Sequence, residues 1–282
     1  MPQTTVVPQT LTYTTDTGLR LVGDAWGTPG APPVLLLHGG GQTRHAWGVT
    51  AQTLAARGWY AVSLDLRGHG ESDWAPDGDY TIDAFVADLR SVMRHYTQTP
   101  ALIGASLGGM TSLLTTGEAQ TAVSRALVLV DITPRTNPEG TSRIRAFMTA
   151  RPDGFSSLEE AAETIAAYLP HRPRPKNLSG LAKNLRLRED GRYHWHWDPQ
   201  LMHAPNRQRD PERLLAAARA LRVPTLLVRG TLSDIVSDTT QAEFLAAVPH
   251  AEYVDVAGAA HMVAGDQNDT FSQGIHDFLA RL

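Results

Sequence analysis

The sequence predicts an α/β fold, a mostly parallel sheet flanked by helices and broken late in the chain by an inserted segment. Three observations carry this. The short runs Val34–Leu37, Tyr60–Leu66, Ala101–Ala105, Ala126–Val130 and Thr225–Val228 are dense in apolar residues, as strands buried on both faces must be. Amphipathic stretches stand between them: Ile82, Phe85, Val86, Leu89, Val92, Met93 and Tyr96 recur at i, i+3, i+4, i+7 spacing on one helical face. The 282 residues, 42% hydrophobic and 19% charged, suffice to bury a substantial core in one large domain or two smaller ones.

Taken in order, Leu19–Trp26 alternates weakly and reads as an outer antiparallel strand, followed by the buried runs up to Val130. After Asp131 the rhythm breaks. From Ile132 to Asp210 the chain carries Pro, Arg and aromatics, with 13 Lys or Arg against 9 acidic residues, net +4, whereas the remainder has 12 against 20, net −8. That asymmetry predicts a separate unit, with a core formed by 1–131 and 211–282 and an insertion over 132–210. Within the insertion, Pro170–Pro175 reads as an extended linker. A helix near Pro211–Leu221 restores the alternation, Ala251–Val256 is the expected last strand, and Phe271, Ile275, Phe278, Leu279 and Leu282 form the stripe of a final helix.

Composition removes several function classes. With no cysteine there is no disulfide, thiolate nucleophile, zinc finger or cysteine-ligated cluster, so a nucleophile must be Ser, Thr, Asp, Lys or similar. A net charge of −4 and a pI near 6.2 offer no general attraction for nucleic acid or anionic lipid. The N-terminus has neither a basic segment nor an apolar core of a signal peptide, and no apolar run approaches the roughly 20 residues of a membrane span. The expectation is a mature cytoplasmic protein with a small-molecule partner, no nucleic acid and no membrane.

The strongest local signal is A-L-I-G-A-S-L-G-G-M, an apolar strand, then Gly104-Ala105-Ser106-Leu107-Gly108, then a helix-compatible run. It reads as a nucleophile elbow: a serine held on a sharp strand-to-helix turn, with small neighbours at Gly104 and Gly108 that let the chain turn without collision. The helix that follows aims free amides, Leu107 among them, at a developing oxyanion. A second donor is expected where V-L-L-L-H-G-G-G-Q ends a strand in His38-Gly39-Gly40-Gly41, with Gly40 the first choice and Gly39 or Gly41 the alternatives. No G-K-[ST] follows, which argues against a phosphate loop, and His38 reads as structural.

Together with D-L-R-G-H-G-E-S (Asp65–Ser72), these motifs resemble the α/β-hydrolase superfamily, in particular its small esterase, perhydrolase and epoxide-hydrolase-like members. The resemblance spans roughly Leu19–Asp131 and Pro211–Leu282, and implies an α/β-hydrolase fold with a mainly helical cap. The family's order of nucleophile, acid and histidine implies a triad of Ser106, Asp234 in the loop after Thr225–Val228, and His261 after the last strand, with Asp131 the rival acid. Each type has a reason. A serine hydroxyl needs a base to take its proton, and the imidazole needs a carboxylate to fix its tautomer. Asp238 and Asp266 read as a helix cap and a surface charge.

The resemblance also implies that Arg67 and His69 lie in a structural loop pinned by Asp65 and Ser72, with Trp47 packed beneath the oxyanion loop. In Tyr193-His194-Trp195-His196-Trp197, strand alternation sets the two histidines on one face and the two tryptophans on the other. With no third ligand at a recognisable spacing, an aromatic hairpin is expected in place of a metal site. From His171 to Arg192 the cap holds seven Lys or Arg against two acids, including Arg172, Arg174, Lys176, Arg186 and Arg188. These read either as a solvated face or as an attractor for anionic substrates. The implied activity is serine hydrolysis of a carboxylic ester or similar acyl compound through an acyl-enzyme, without a cofactor. Carbon–carbon bond hydrolysis, perhydrolysis and non-catalytic binding on the same fold are the alternatives, and Ser106 argues against the epoxide-hydrolase and dehalogenase branches, which use an aspartate at the elbow.

Overall fold

The computed structural model describes residues 7–168, 178–203, 209–260 and 268–282. An eight-stranded sheet is built from β1 (Gln9–Thr14), β2 (Arg20–Trp26), β3 (Pro33–Leu37), β4 (Tyr60–Leu64), β5 (Ala101–Ala105), β6 (Ala126–Val130), β9 (Thr225–Gly230) and β10 (Glu252–Val256), in the order β1-β2-β4-β3-β5-β6-β9-β10. From β4 to β10 every neighbouring pair is parallel, while β2 pairs antiparallel with both β1 and β4. The edge strand β1 is absent from the sequence expectation because Q-T-L-T-Y-T has no apolar run, and only Tyr13 in it is buried.

Period-two alternation sorts the central strands into two cores. Leu35, Leu37, Leu102, Leu127 and Leu129 face one side, Val34, Leu36, Ile103 and Val128 the other. The first side is covered by α2 (Ile82–Met93), α3 (Leu107–Gly117) and α7 (Pro211–Ala220), through Phe85, Leu89, Leu113 and Leu214. The second is covered by α1 (Gly48–Ala55) and α9 (Asn268–Leu279), through Ala51, Leu54, Phe271 and Ile275. Trp47, expected beneath the oxyanion loop, is buried in this second core against Phe271.

Helix starts follow local chemistry. Thr81 accepts from the Ala84 amide ahead of α2, and Asp210 accepts from Glu212 and Arg213 ahead of Pro211 in α7. At α8 (Asp238–Ala247) the cap is Ser237, reciprocated by Thr240. Asp238, expected as the cap, is instead the first helical residue and pairs with Arg229. Asp266 lies outside the described residues.

Between β6 and α7 come α4 (Pro138–Thr149), α5 (Leu158–Tyr168), the short α6 (Ser179–Ala182) and a hairpin of β7 (Leu185–Leu187) with β8 (Tyr193–Trp195). Trp195 and Trp197 stack at 4.7 Å. The two histidines take separate partners: His194 Nε2 lies 2.8 Å from Asp190, whereas His196 Nδ1 accepts from the Gly70 amide at 2.7 Å. Pro170–Pro175 lies outside the described residues. Among the described residues no helix is long and apolar enough to cross a membrane.

Candidate active site

The end of β5 and the start of α3 hold Ser106 in a backbone conformation that non-glycine residues rarely adopt, with φ 46° and ψ −110°. Tight packing explains why. A methyl group at Gly104 would sit 2.3 Å from the Gly108 carbonyl, and one at Gly108 would sit 2.4 Å from the Leu37 carbonyl of β3. The glycines thus let α3 start hard against the sheet, and the Gly108 amide donates to His38 O. The amide of Leu107, first residue of α3, makes no hydrogen bond among the described residues.

The loop after β3 closes on the same point. A methyl at Gly39 would lie 3.4 Å from Ser106 Cβ. Of the three glycine amides expected as oxyanion donors, Gly39 donates to Gln42 Oε1 at 2.8 Å and Gly41 to His69 Nε2 at 3.2 Å. Gly40 donates to nothing among the described residues, so it and Leu107 carry the two unspent amides beside the serine. Gln42 escaped the sequence reading, since nothing local says that its side chain turns back on Gly39.

Beneath this loop sits a cluster of buried histidines, His38, His69 and His196, with ring centroids 4.9 and 6.0 Å apart. His38 donates from Nδ1 to Gly39 O and accepts at Nε2 from Leu66; His69 donates from Nδ1 to Arg67 O. Burial pushes His38 down to about 4 and His69 down to about 3, and lowers His196 well below the usual imidazole range. The Asp65–Ser72 loop is pinned as expected: Ser72 Oγ donates to Asp65 O, the Asp65 carboxylate accepts from the Arg44 and Glu71 amides, and Arg67 forms a two-pronged ion pair with Asp88 at 2.6 Å.

The two candidate acids have different surroundings. Asp131, at the end of β6 next to the serine's strand, is fully buried and has φ 49°; it and Ser106 are the two non-glycine residues with positive φ among the described residues. Its carboxylate accepts from Gly230 N at 3.3 Å and from Ser233 Oγ at 2.7 Å. A methyl at Gly230 would meet the Ala259 and Ala260 carbonyls at 2.4 and 2.7 Å, so the chain leading to position 261 runs beside Asp131's own partner. Asp234 is placed differently: its side chain is 31% exposed, and its carboxylate pairs with Arg143 of α4 at 3.2 Å. His261 lies outside the described residues.

Above Ser106 opens a cavity of about 860 Å³. Its walls come from both sides of the sequence, with Phe85 and Met110 from the core and Ile144, Phe147, Tyr168 and Trp197 from the segment between β6 and α7. Arg186 and Arg188 do not line it. Both guanidinium groups lie 5.7 Å from the Trp74 ring, and Arg186 donates to Gly70 O. Arg172, Arg174 and Lys176 lie outside the described residues.

Residues 32–266 match the α/β-hydrolase-fold family. The chain is 32% identical to the esterase Rv0045c of Mycobacterium tuberculosis, over 86% of this chain and 80% of that protein, and 29% identical to a 3-hydroxybutyrate-oligomer hydrolase of Cupriavidus necator, over 86% and 87%. Among solved structures it superposes on an α/β hydrolase from Novosphingobium aromaticivorans with a TM-score of 0.84 and 27% identity, covering 98% of this chain and 99% of the other. A family match over most of the chain, a parallel sheet with a strained serine at the end of β5, and two unspent amides beside it lead to one assignment: the chain belongs to the α/β-hydrolase family of enzymes.

Proposed function

We propose that the protein is a serine hydrolase of carboxylic esters working through an acyl-enzyme, with residues 132–210 as its cap. The observation that carries this reading is the strained Ser106 flanked by the unspent amides of Gly40 and Leu107, and the esterase and oligomer-hydrolase names of its relatives agree with it. Ser106 Oγ attacks the ester carbonyl carbon while His261 takes the hydroxyl proton. The negative oxygen of the tetrahedral intermediate accepts from Gly40 and Leu107. Collapse breaks the bond to the alcohol oxygen, which leaves with the proton from His261. Water, deprotonated by the same imidazole, then attacks the acyl-enzyme and releases the acid and Ser106.

For the acid that orients His261, Asp131 takes the place that the family order assigned to Asp234. Three features support it: full burial, a strained backbone adjoining the elbow, and a bond to Gly230, against which Ala260 packs. Asp234 already has Arg143. A fluorophosphonate probe should label the wild type and spare Ser106→Ala, and undiminished labelling of the variant would end the proposal. Asp131→Asn should lower kcat on 4-nitrophenyl acetate by on the order of 10⁴ while Asp234→Asn stays within about tenfold. The reverse pattern would return the acid to the loop after β9.

A further inference from the structure

The charged lining of the cavity over Ser106 is mainly basic. Among the described lining residues are Arg145, Lys183, Arg209 and Arg213, against the single acid Asp210. Asp210 is occupied with the amides that start α7, and Arg213 is neutralised by Glu118 and Asp83. Arg145 and Lys183 are exposed, where water serves a charge well.

Arg209 is in a different position. It is partly buried, its Nη1 donates to Thr136 Oγ1 at 3.0 Å, and its Nη2 is shut away from solvent with no hydrogen-bond partner among the described residues. No carboxylate pairs with it among the described residues. Burial alone pulls the guanidinium down to about 10, with no neighbouring acid to offset it, and it stays cationic at pH 7. Buried charges in folded proteins are ordinarily paired, because a lone one forfeits its hydration without a Coulombic return. A guanidinium left in this condition on a substrate cavity has its counter-ion missing. A carboxylate in the cavity would supply the missing charge, and Thr136, already on one arm, limits how the group turns.

We propose that Arg209, anchored by Thr136, receives a carboxylate of the substrate, so that the enzyme acts on esters bearing a second, ionised acid group. This rests on the ester-hydrolase reading above and assigns the anion site to the cavity wall rather than to the basic stretch of the cap.

The test uses two esters of matched length, mono-4-nitrophenyl adipate, which ends in a carboxylate, and 4-nitrophenyl hexanoate, which ends in a methyl. Arg209→Gln should reduce the ratio of their kcat/KM values, anionic over neutral, by about 10- to 100-fold, with most of the change in KM for the anionic ester. Arg209→Lys should keep part of the ratio. A structural arginine would lower Tm when removed, whereas an uncompensated one should leave it unchanged or raise it. Calorimetry of hexanoate against hexanamide on Ser106→Ala protein reads the same site without turnover, and adding Arg209→Gln should abolish the preference for hexanoate. A ratio insensitive to Arg209, or hexanoate bound no better than hexanamide, overturns the anion site while leaving ester hydrolysis standing. If neither ester is cleaved but hexanoate binding still depends on Arg209, the anion site stands and the ester-hydrolase reading falls.

Discussion

Lowering the pH from 7 to 5 should destabilise this protein through three rings, His38, His69 and His196. All are buried, and His38 and His69 use one nitrogen as donor and the other as acceptor, so the neutral form is the one the fold requires. A proton on His69 Nε2 would confront the Gly41 amide, and one on His196 Nδ1 would confront that of Gly70. Their native pKa values are depressed, to about 4 for His38, about 3 for His69 and well below the usual value for His196. The unfolded chain, titrating near 6.5, therefore binds more protons than the native state once the pH drops below that value. The stability these rings contribute is whole above pH 6.5 and is lost as the pH falls toward their native pKa values. At pH 5 the loss is about 2 kcal/mol for each of His38 and His69, or about 4 kcal/mol for the two, with His196 adding in the same sense, a large part of the whole stability of many domains. His45, also depressed, adds in the same sense, while Asp79, Glu160 and Asp190, whose values are lowered, titrate below this window. Urea unfolding followed by tryptophan fluorescence at pH 7, 6 and 5 measures the effect. A free energy at pH 5 within about 1 kcal/mol of that at pH 7 would refute the reasoning, since three neutral buried imidazoles cannot coexist with a flat profile.

Two further perturbations follow from packing. Gly108→Ala places a methyl 2.4 Å from the Leu37 carbonyl, so β3 and α3 must separate; a loss of about 3 kcal/mol or more is expected, together with loss of probe labelling at Ser106, and a variant of wild-type stability would show that the elbow is looser than its geometry. Asp88→Asn breaks the buried pair with Arg67, at an expected cost of about 3–5 kcal/mol, read as a fall in Tm on the order of 10 °C. An unchanged Tm would mean that Arg67 is held by Asp79 O and solvent alone.

Local sequence determined most of the scaffold and the strained turn at Ser106. Strands β3 to β6 are legible because a strand covered on both faces must be apolar throughout, and that constraint sits within five consecutive residues. The elbow is legible for the same reason: Gly104, Ser106 and Gly108 are adjacent in the chain, and the turn needs small residues at those spacings. The exposed edge strand β1 and the premature end of α2 at Met93 are weakly patterned, because an edge needs little apolar surface and Tyr96 finds its packing against Tyr13 and Tyr60 instead of on the helix. What the tertiary structure decided is which distant residues meet. Pairing of β6 with β9 brings Gly230 and Ser233 to Asp131, about a hundred positions away, while α4 brings Arg143 to Asp234, and no local pattern records either encounter. Likewise Gln42 and His69 use up the Gly39 and Gly41 amides and, among the described residues, leave Gly40 free, and Arg186 and Arg188 turn to Trp74 while Arg209 is shut into the cavity wall with no counter-ion among those residues. Side-chain periodicity is written residue by residue, but the satisfaction of a buried donor, acceptor or charge depends on partners that only the folded chain supplies.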